Sequence, residues 1–377
     1  MITYAIYTFI LFGTTISAYI SQVALKYNTR LVFYFFSFFI PFIFLAIRYE
    51  INYDYHNYVY YFYQILDGNI PHKEPIYILI NLIIGYLGLD VQWLFVTFAF
   101  FTIYFAYKAM DKEIFPIAVY LFITLFYLYD GMDIIRQGLV LSIMAYATKY
   151  IVQKRFFTYL LFALFSMGIH FFSGLILLMA YPILRIDFNR YFIIFFIVVL
   201  YILVLKFGII EKLMNMFALL FPDYAWYITN ERFTQHKTIG TGIGILFKMS
   251  ILFMVVWFKN KISLHFKRAN VFINMYVIYL ALMIFSVKIV IFERVQNMFI
   301  FGVIFSLAYF LLILEKKSKI LLIILIFSFY GMDYYKYIHS KTLKNMKSGK
   351  NLAVVNPYRT ILDRDKIRVD TPRRGWK

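Results

Sequence analysis

The chain has 377 residues, of which 63% are apolar and 15% charged, with no cysteine and a net charge of +19. A soluble domain carries about 25% charged residues, so this composition excludes an ordinary soluble globular protein. The absence of cysteine excludes disulfides, thiolate metal sites and cysteine nucleophiles.

Apolar segments follow one another along almost the whole chain. They are continuous, which favours membrane-spanning helices of about 20 residues over the short alternating strands of a β-barrel. We therefore expect an all-α polytopic transmembrane bundle of about 11–14 membrane segments, including broken or re-entrant helices. The predicted segments are residues 4–20, 31–47, 76–87, 91–107, 114–128, 134–151, 156–184, 191–207, 243–258, 271–291, 295–314 and 320–330.

Several segments carry further structural signals. Residues 4–20 lack a preceding basic region and a small-residue cleavage site, so we expect a retained helix there rather than a signal peptide. Residues 156–184 are too long for one crossing and contain Met-Gly-Ile-His, which predicts two half-helices in a hairpin. We expect a transmembrane domain over residues 1–335 and a basic tail over 336–377, which holds twelve basic and three acidic residues.

Basic residues in short loops predict the orientation of the bundle. They place residues 149–155, 259–268 and 315–319 in the cytoplasm, which puts the loops at 48–74 and 208–242 on the outer face. This topology requires that segment 76–87 dips into the bilayer without crossing, or that 55–66 crosses. It also puts the basic tail outside, against the rule. The basic surplus favours anionic headgroups or a phosphorylated lipid over nucleic acid.

Polar residues at the ends of apolar segments are the functional candidates, because an ionisable group inside a membrane costs roughly 3 kcal/mol or more. On the predicted topology nearly all of them gather on the outer face, as a positively lined pocket that contains carboxylates. Structural explanations stay open, namely snorkelling at the interface, a loop acid, a turn, or repair of a broken helix. The candidates are Arg48, Asp54, Glu74, Arg136, Gln137, His170, Glu293 and Arg294.

These residues lie in motifs that resemble a family. Residues 48–55 read RYEINYDY, and EPIY follows at 74–77, IRQGL at 135–139, IHFFS at 169–173 and NPYRTIL at 356–362. In order and spacing these motifs, together with Glu293-Arg294, resemble the EpsG-type Wzy polysaccharide polymerases over residues 48–362. The chain departs from the family where Asn52-Tyr53 replaces the usual glycine before the aspartate, and in its longer basic end at 363–377.

The resemblance implies a glycosyltransferase of the bacterial cytoplasmic membrane that polymerises an O-antigen, capsule or exopolysaccharide. It would transfer a growing glycan from undecaprenyl pyrophosphate onto a lipid-linked repeat unit at the outer face. No cofactor is expected, and a metal-independent transfer is the working hypothesis. The implied partners are the undecaprenyl-pyrophosphate-linked oligosaccharide and membrane lipid, with a chain-length regulator and a flippase as candidates.

Three roles follow from that reaction. The pyrophosphate leaving group needs cations, for which Arg136, Arg294 and then Arg48 are the candidates. The acceptor hydroxyl benefits from a base, which His170, Asp54 or Glu74 would supply. The residues that would contact substrate are Gln137, Glu293, Tyr224, Trp226, Tyr227 and Tyr358.

Three other functions stay open. Broken helices and charges within membrane segments also occur in transporters, here a flippase of lipid-linked oligosaccharide, although the sequence shows no inverted repeat. Another lipid-phosphosugar glycosyltransferase would also suit Asp54 in an outer loop. A membrane O-acyltransferase would use His170 but lacks strong partner residues beside it.

Overall fold

A computed structural model describes residues 2–52, 54–70, 74–207, 243–287, 291–342 and 354–363. The described residues form α-helices with short 3-10 and π segments and contain no β-strand, which confirms the predicted all-α bundle. Within these described ranges, five helices are long and apolar enough to cross a membrane. The chain divides into a first unit of residues 1–146, 165–171 and 321–377 and a second unit of 147–164 and 172–320.

The first unit is built mainly from the N-terminal helices and the last long helix. The later part of the 114–128 segment is a π-helix, Ile123–Gly131. The last helix extends to Ser340, so the predicted boundary at residue 336 falls inside it. The helices in this unit are α1 (Ile2–Val23), α2 (Tyr27–Ala46), α3 (Tyr55–Leu66), α4 (Pro75–Tyr86), α5 (Gln92–Ala109), α6 (Phe115–Phe122), the first part of α7 (Ile135–Val152) and most of α17 (Lys316–Ser340).

The proline inside α2 explains part of how the first unit packs. Pro41 lacks an N–H group, so the carbonyl of Ser37, four residues earlier, loses its helical donor. The hydroxyl of Tyr107 donates to that carbonyl at 2.6 Å, and the hydroxyl of Tyr127 donates to the carbonyl of Pro41 at 2.8 Å. Buried tyrosines from two neighbouring segments thus satisfy backbone groups around the break in α2.

The lengths of helices α3 and α4 bear on the predicted topology between residues 48 and 130. Each has 12 residues, about 18 Å of helix, whereas the hydrocarbon core is about 30 Å thick. Neither helix is long enough to cross alone. This geometry favours segments that dip into the bilayer on this side of the bundle.

Most of the predicted hairpin lies in the second unit, and its residues 165–171 belong to the first. Residues 156–184 form α8 (Phe156–Ile169), α9 (Phe171–Met179) and α10 (Tyr181–Arg185). The hydroxyl of Tyr159 donates to the carbonyl of Leu177 at 2.9 Å, and the ring of Tyr159 packs on that of Tyr181. These contacts confirm that the long apolar segment folds back on itself.

The rest of the second unit is a set of helices around a closely packed pair. The predicted segment 295–314 begins inside a short helix that holds Glu293 and Arg294. The main helix of this segment begins only at Ile300. The helices are α11 (Arg190–Phe207), α12 (Ile243–Trp257), α13 (Lys259–His265), α14 (Ala269–Ser286), α15 (Ile291–Asn297) and α16 (Ile300–Leu312).

Gly302 allows α14 and α16 to approach each other closely. A Cβ atom at Gly302 would lie 2.5 Å from the backbone nitrogen of Tyr276 and would also collide with Met275. We expect Gly302→Ala to lower the free energy of unfolding by about 1–3 kcal/mol, measured as thermal unfolding in detergent. Gly244→Ala in α12 is the control, because no atom lies within 4 Å of its added Cβ. Equal melting temperatures for the two variants would contradict this account of the packing.

Candidate functional site

Arg136 is the centre of a cluster in the first unit. It lies in the first turn of α7, and its guanidinium is 4.7 Å from the ring centre of Tyr77 and 5.9 Å from that of Tyr58. One guanidinium nitrogen, Nη1, is 3.4 Å from Oε2 of Glu74, and both side chains are mostly buried. The cluster therefore combines two predicted site residues, Arg136 and Glu74, with two tyrosines that were not among the predicted site residues.

The direction of α3 and α4 brings these side chains together. Tyr58 and Tyr77 lie near the starts of their helices and both face Arg136. At the other ends, a Cβ atom at Gly85 would lie 2.9 Å from Cδ1 of Leu66. The two helices therefore run in the same direction, and the N-termini of α3, α4 and α7 meet at Arg136. Helix N-termini carry partial positive charge, which adds to that of the arginine.

A second cluster, of carboxylates, lies where the first loop meets the turn before α7. The backbone N–H of Asp54 donates to Oδ1 of Asp133 at 3.2 Å, and Asn57 donates to Oδ1 of Asp54 at 3.2 Å. Burial, and then the nearby Asp54 carboxylate, raise the pKa of Asp133 from 3.8 to about 6. Asp133 thus titrates close to neutral pH beside a predicted base.

Asp130 and Gln137 shape the turn between these two clusters. Asp130 is 1% exposed at the end of the π-helix, and Nε2 of Gln137 donates to its Oδ1 at 3.2 Å. At Gly138, a Cβ atom would lie 2.9 Å from the carbonyl oxygen of Asp130. The glycine therefore allows the start of α7 to pack directly on the turn. These contacts give Gln137 a structural role in holding Arg136; its predicted contact with substrate stays a prediction.

Arg48 lies under the first loop and is 1% exposed. Its guanidinium is 4.9 Å from the ring centre of Phe95, and its Nη1 donates to the carbonyl of Leu45. Among the described residues its Nε and Nη2 have no hydrogen-bond partner. The burial differs from the snorkelling explanation, in which the head group reaches water. A role in pyrophosphate binding stays a prediction.

His170 lies at the junction of α8 and α9, where its N–H donates to the carbonyl of Ser166 at 2.9 Å. Just before it, a Cβ atom at Gly168 would lie 2.7 Å from the side chain of Ile76. The His170 segment therefore packs on the first turn of α4, two residues from Glu74. The structure thus places His170 in the same unit as Arg136 and Glu74.

The remaining predicted residues fall elsewhere. Glu293 and Arg294 lie in α15 of the second unit, and the side chain of Arg294 is exposed. Tyr358 is buried and packs on Tyr7 and Phe44, which favours a structural role. The three aromatic residues predicted to contact sugar, Tyr224, Trp226 and Tyr227, lie outside the described residues.

Asp130, Asp133, Tyr58 and Tyr77 are the residues that the sequence analysis did not assign to the site. Two acids that flank Gly131-Met132, a few residues before the Arg-Gln pair, were the available signal for the carboxylates. Tyr58 follows the first loop in the motif region, but 35 tyrosines in the chain make any single one uninformative. The polarity of a short turn does not reveal which of its side chains are buried.

A protein-family model described as the EpsG family matches residues 31–350, which is most of the chain. No curated protein and no solved structure matches the chain. The matched region contains both clusters of the first unit and the helices of the second. The chain is therefore a multi-pass membrane protein of the EpsG family, which indicates a polysaccharide-polymerase type of function.

Proposed function

We propose that this protein polymerises lipid-linked repeat units at the outer face of the bacterial cytoplasmic membrane. It transfers a growing glycan from undecaprenyl pyrophosphate onto the terminal sugar of the next lipid-linked unit. The observation that carries the proposal is the Arg136 cluster, in which a mostly buried arginine meets Glu74 and two tyrosine rings in an EpsG-family chain.

The leaving group requires positive charge. When the bond between the anomeric carbon and the phosphate oxygen breaks, the pyrophosphate keeps the electron pair, and its negative charge needs fixed donors. Arg136 supplies a planar fork suited to phosphate oxygens. Tyr58 and Tyr77 hold that plane, and three helix N-termini add partial positive charge. Glu74 keeps the arginine oriented between reaction cycles.

The acceptor requires the opposite chemistry. Its hydroxyl oxygen forms the new bond to the anomeric carbon, and its proton passes to a base. Asp54, Glu74 and His170 stay candidates, and Asp133 joins them because its pKa of about 6 lets a carboxylate hold a proton near neutral pH. A metal-independent transfer stays the working hypothesis.

Glycan profiling of a deletion strain tests the proposal. We expect the deletion to leave single repeat units on the lipid carrier and the wild-type gene to restore long chains. An unchanged chain length in the deletion strain would overturn the proposed function. Loss of lipid-linked units from the outer face would instead favour the flippase alternative.

A further inference from the structure

The C-terminal segment, residues 354–363, pairs with the first loop. The N–H of Ile361 donates to the carbonyl of Ile47 at 2.9 Å, and the N–H of Tyr49 donates to the carbonyl of Arg359 at 3.0 Å. Between them, Arg48 and Thr360 form an antiparallel bridge. Further along, the N–H of Asn52 donates to the carbonyl of Val354 at 3.0 Å. The loop that leads to Asp54 is therefore held by backbone some 300 residues away in the sequence.

The first loop needs an external support because its backbone is strained. Glu50 has a φ of 51° and Asn52 a φ of 68°. In this left-handed region a residue with a side chain costs roughly 1–2 kcal/mol, with asparagine the better tolerated of the two. Such conformations persist only where surrounding contacts impose them. The bonds from the C-terminal segment lie on both sides of Glu50, and Asn52 itself makes the last of them.

The segment is itself fixed to the ends of three helices. The N–H of Tyr358 donates to Oγ1 of Thr3 in α1 at 3.1 Å, and its hydroxyl donates to the carbonyl of Phe44 in α2. Nδ2 of Asn356 donates to the hydroxyl of Thr342, just after α17, at 2.9 Å. The support is therefore anchored on the helix bundle.

One side-chain pair joins the support to the strained loop. Nη1 of Arg359 is 3.2 Å from Oε2 of Glu50, and the two side chains are 23% and 15% exposed. This pair fixes the residue with the unfavourable φ, four positions before Asp54. The contact between Asp54 and Asp133 depends on where the loop ends.

We propose that residues 354–363 are the positioning element of the active site and that Arg359, through Glu50, is a positioning residue for Asp54. The inference rests on the proposed polymerase function. Arg359 does not have to touch substrate for this role. Its loss shortens the glycan because the first loop leaves the conformation in which Asp54 meets Asp133.

Charge reversal tests the role of the pair. We expect Arg359→Glu and Glu50→Arg each to reduce long-chain polymer at least about tenfold, since a lost buried pair leaves an uncompensated charge. The double variant, which restores opposite charges, should recover much of the chain length, as should the conservative Arg359→Lys. Leu362→Ala, in the same segment but 84% exposed, is the matched control and should behave as wild type. Protein in the membrane fraction is measured by immunoblot for every variant.

Two results would overturn the inference. One is full chain length in both single variants, and the other is a double variant no more active than the singles at equal protein level. Profiling the deletion strain alongside separates the two proposals. If the deletion removes long chains and the Arg359 variants keep them, the positioning role alone fails.

A disulfide lock keeps the inference testable if the charge variants are lost from the membrane. The chain has no cysteine, so Ile47→Cys with Ile361→Cys introduces one unambiguous pair. These residues are joined by a backbone hydrogen bond of 2.9 Å, next to the bridge between Arg48 and Thr360. We expect the oxidised double variant to make full-length chains, because the paired state is the active one. Loss of long chains that a reductant restores would overturn static positioning in favour of a segment that must open.

Discussion

Replacing Arg136 by alanine is expected to abolish long-chain polymer, with a loss of transfer rate on the order of 10²–10³-fold. The guanidinium is mostly buried where three helix N-termini meet, so its removal takes a fixed positive charge out of the cluster. Arg136→Lys should give intermediate chain lengths, because lysine keeps the charge but lacks the planar fork and the stacking on Tyr77. Glycan length on gels and the rate of lipid-carrier release measure the effect.

The stability of the variant must be separated from its activity. Arg136→Ala leaves the Glu74 carboxylate mostly buried without its ion-pair partner, which destabilises the fold. Arg136→Ala combined with Glu74→Gln removes that charge, so we expect normal protein levels and still no long chains. Because Glu74 is also a candidate base, Glu74→Gln alone shows how much of the loss belongs to the carboxylate. Arg190→Ala is the matched control, a half-buried arginine at the start of α11 that stacks on Tyr191 and Trp257. Long chains from Arg136→Ala and from Arg136→Ala combined with Glu74→Gln would refute the assignment.

The helix bundle was predictable because membrane helices leave a local signal. Runs of about 20 apolar residues predict them. The hairpin at 156–184 was predicted because this apolar segment is longer than one crossing requires. Helix α3 was harder to predict. Residues 55–66 mix tyrosines with His56, Asn57 and Gln64, so their apolar content is too low for a membrane segment. Packing against α4 and α5 determines that helix more than its own composition does.

The site was predictable only in part, for a different reason. Arg136 and Glu74 stand out because charged residues at the ends of apolar segments are rare. Their pairing needs α3 and α4 to run in the same direction, which no local pattern reveals. The burial of Arg48 depends on a C-terminal segment some 300 residues away. From the sequence alone, that segment was predicted to belong to a basic tail. Contacts between distant parts of the chain therefore set the roles that residue type alone left open.

A carboxylate beside another carboxylate is a cost to the fold that only a function would maintain. Asp54 and Asp133 are close enough that the backbone of one donates to the side chain of the other. Asparagine at position 133 keeps an oxygen that accepts this N–H but removes the charge. Asp133→Asn therefore tests charge with little change in geometry. Asp90→Asn is the matched control, because Asp90 is exposed and also accepts a backbone N–H, that of Gln92 at 3.1 Å.

Asp133→Asn is expected to stabilise the protein at pH 7 while reducing long-chain polymer. Because the folded protein binds the Asp133 proton more tightly than the unfolded chain, with a pKa of about 6 against 3.8, the contribution of Asp133 to wild-type stability is fully present below pH 3.8 and is lost as pH rises through 6. The loss by pH 7 is on the order of 2–3 kcal/mol. Between pH 5 and 7 the melting temperature in detergent should therefore fall less steeply for Asp133→Asn than for wild type and Asp90→Asn. The same pH slope in all three proteins would assign the titration to another group. Unchanged chain length in a stabilised Asp133→Asn would show that the buried charge does not serve the transfer.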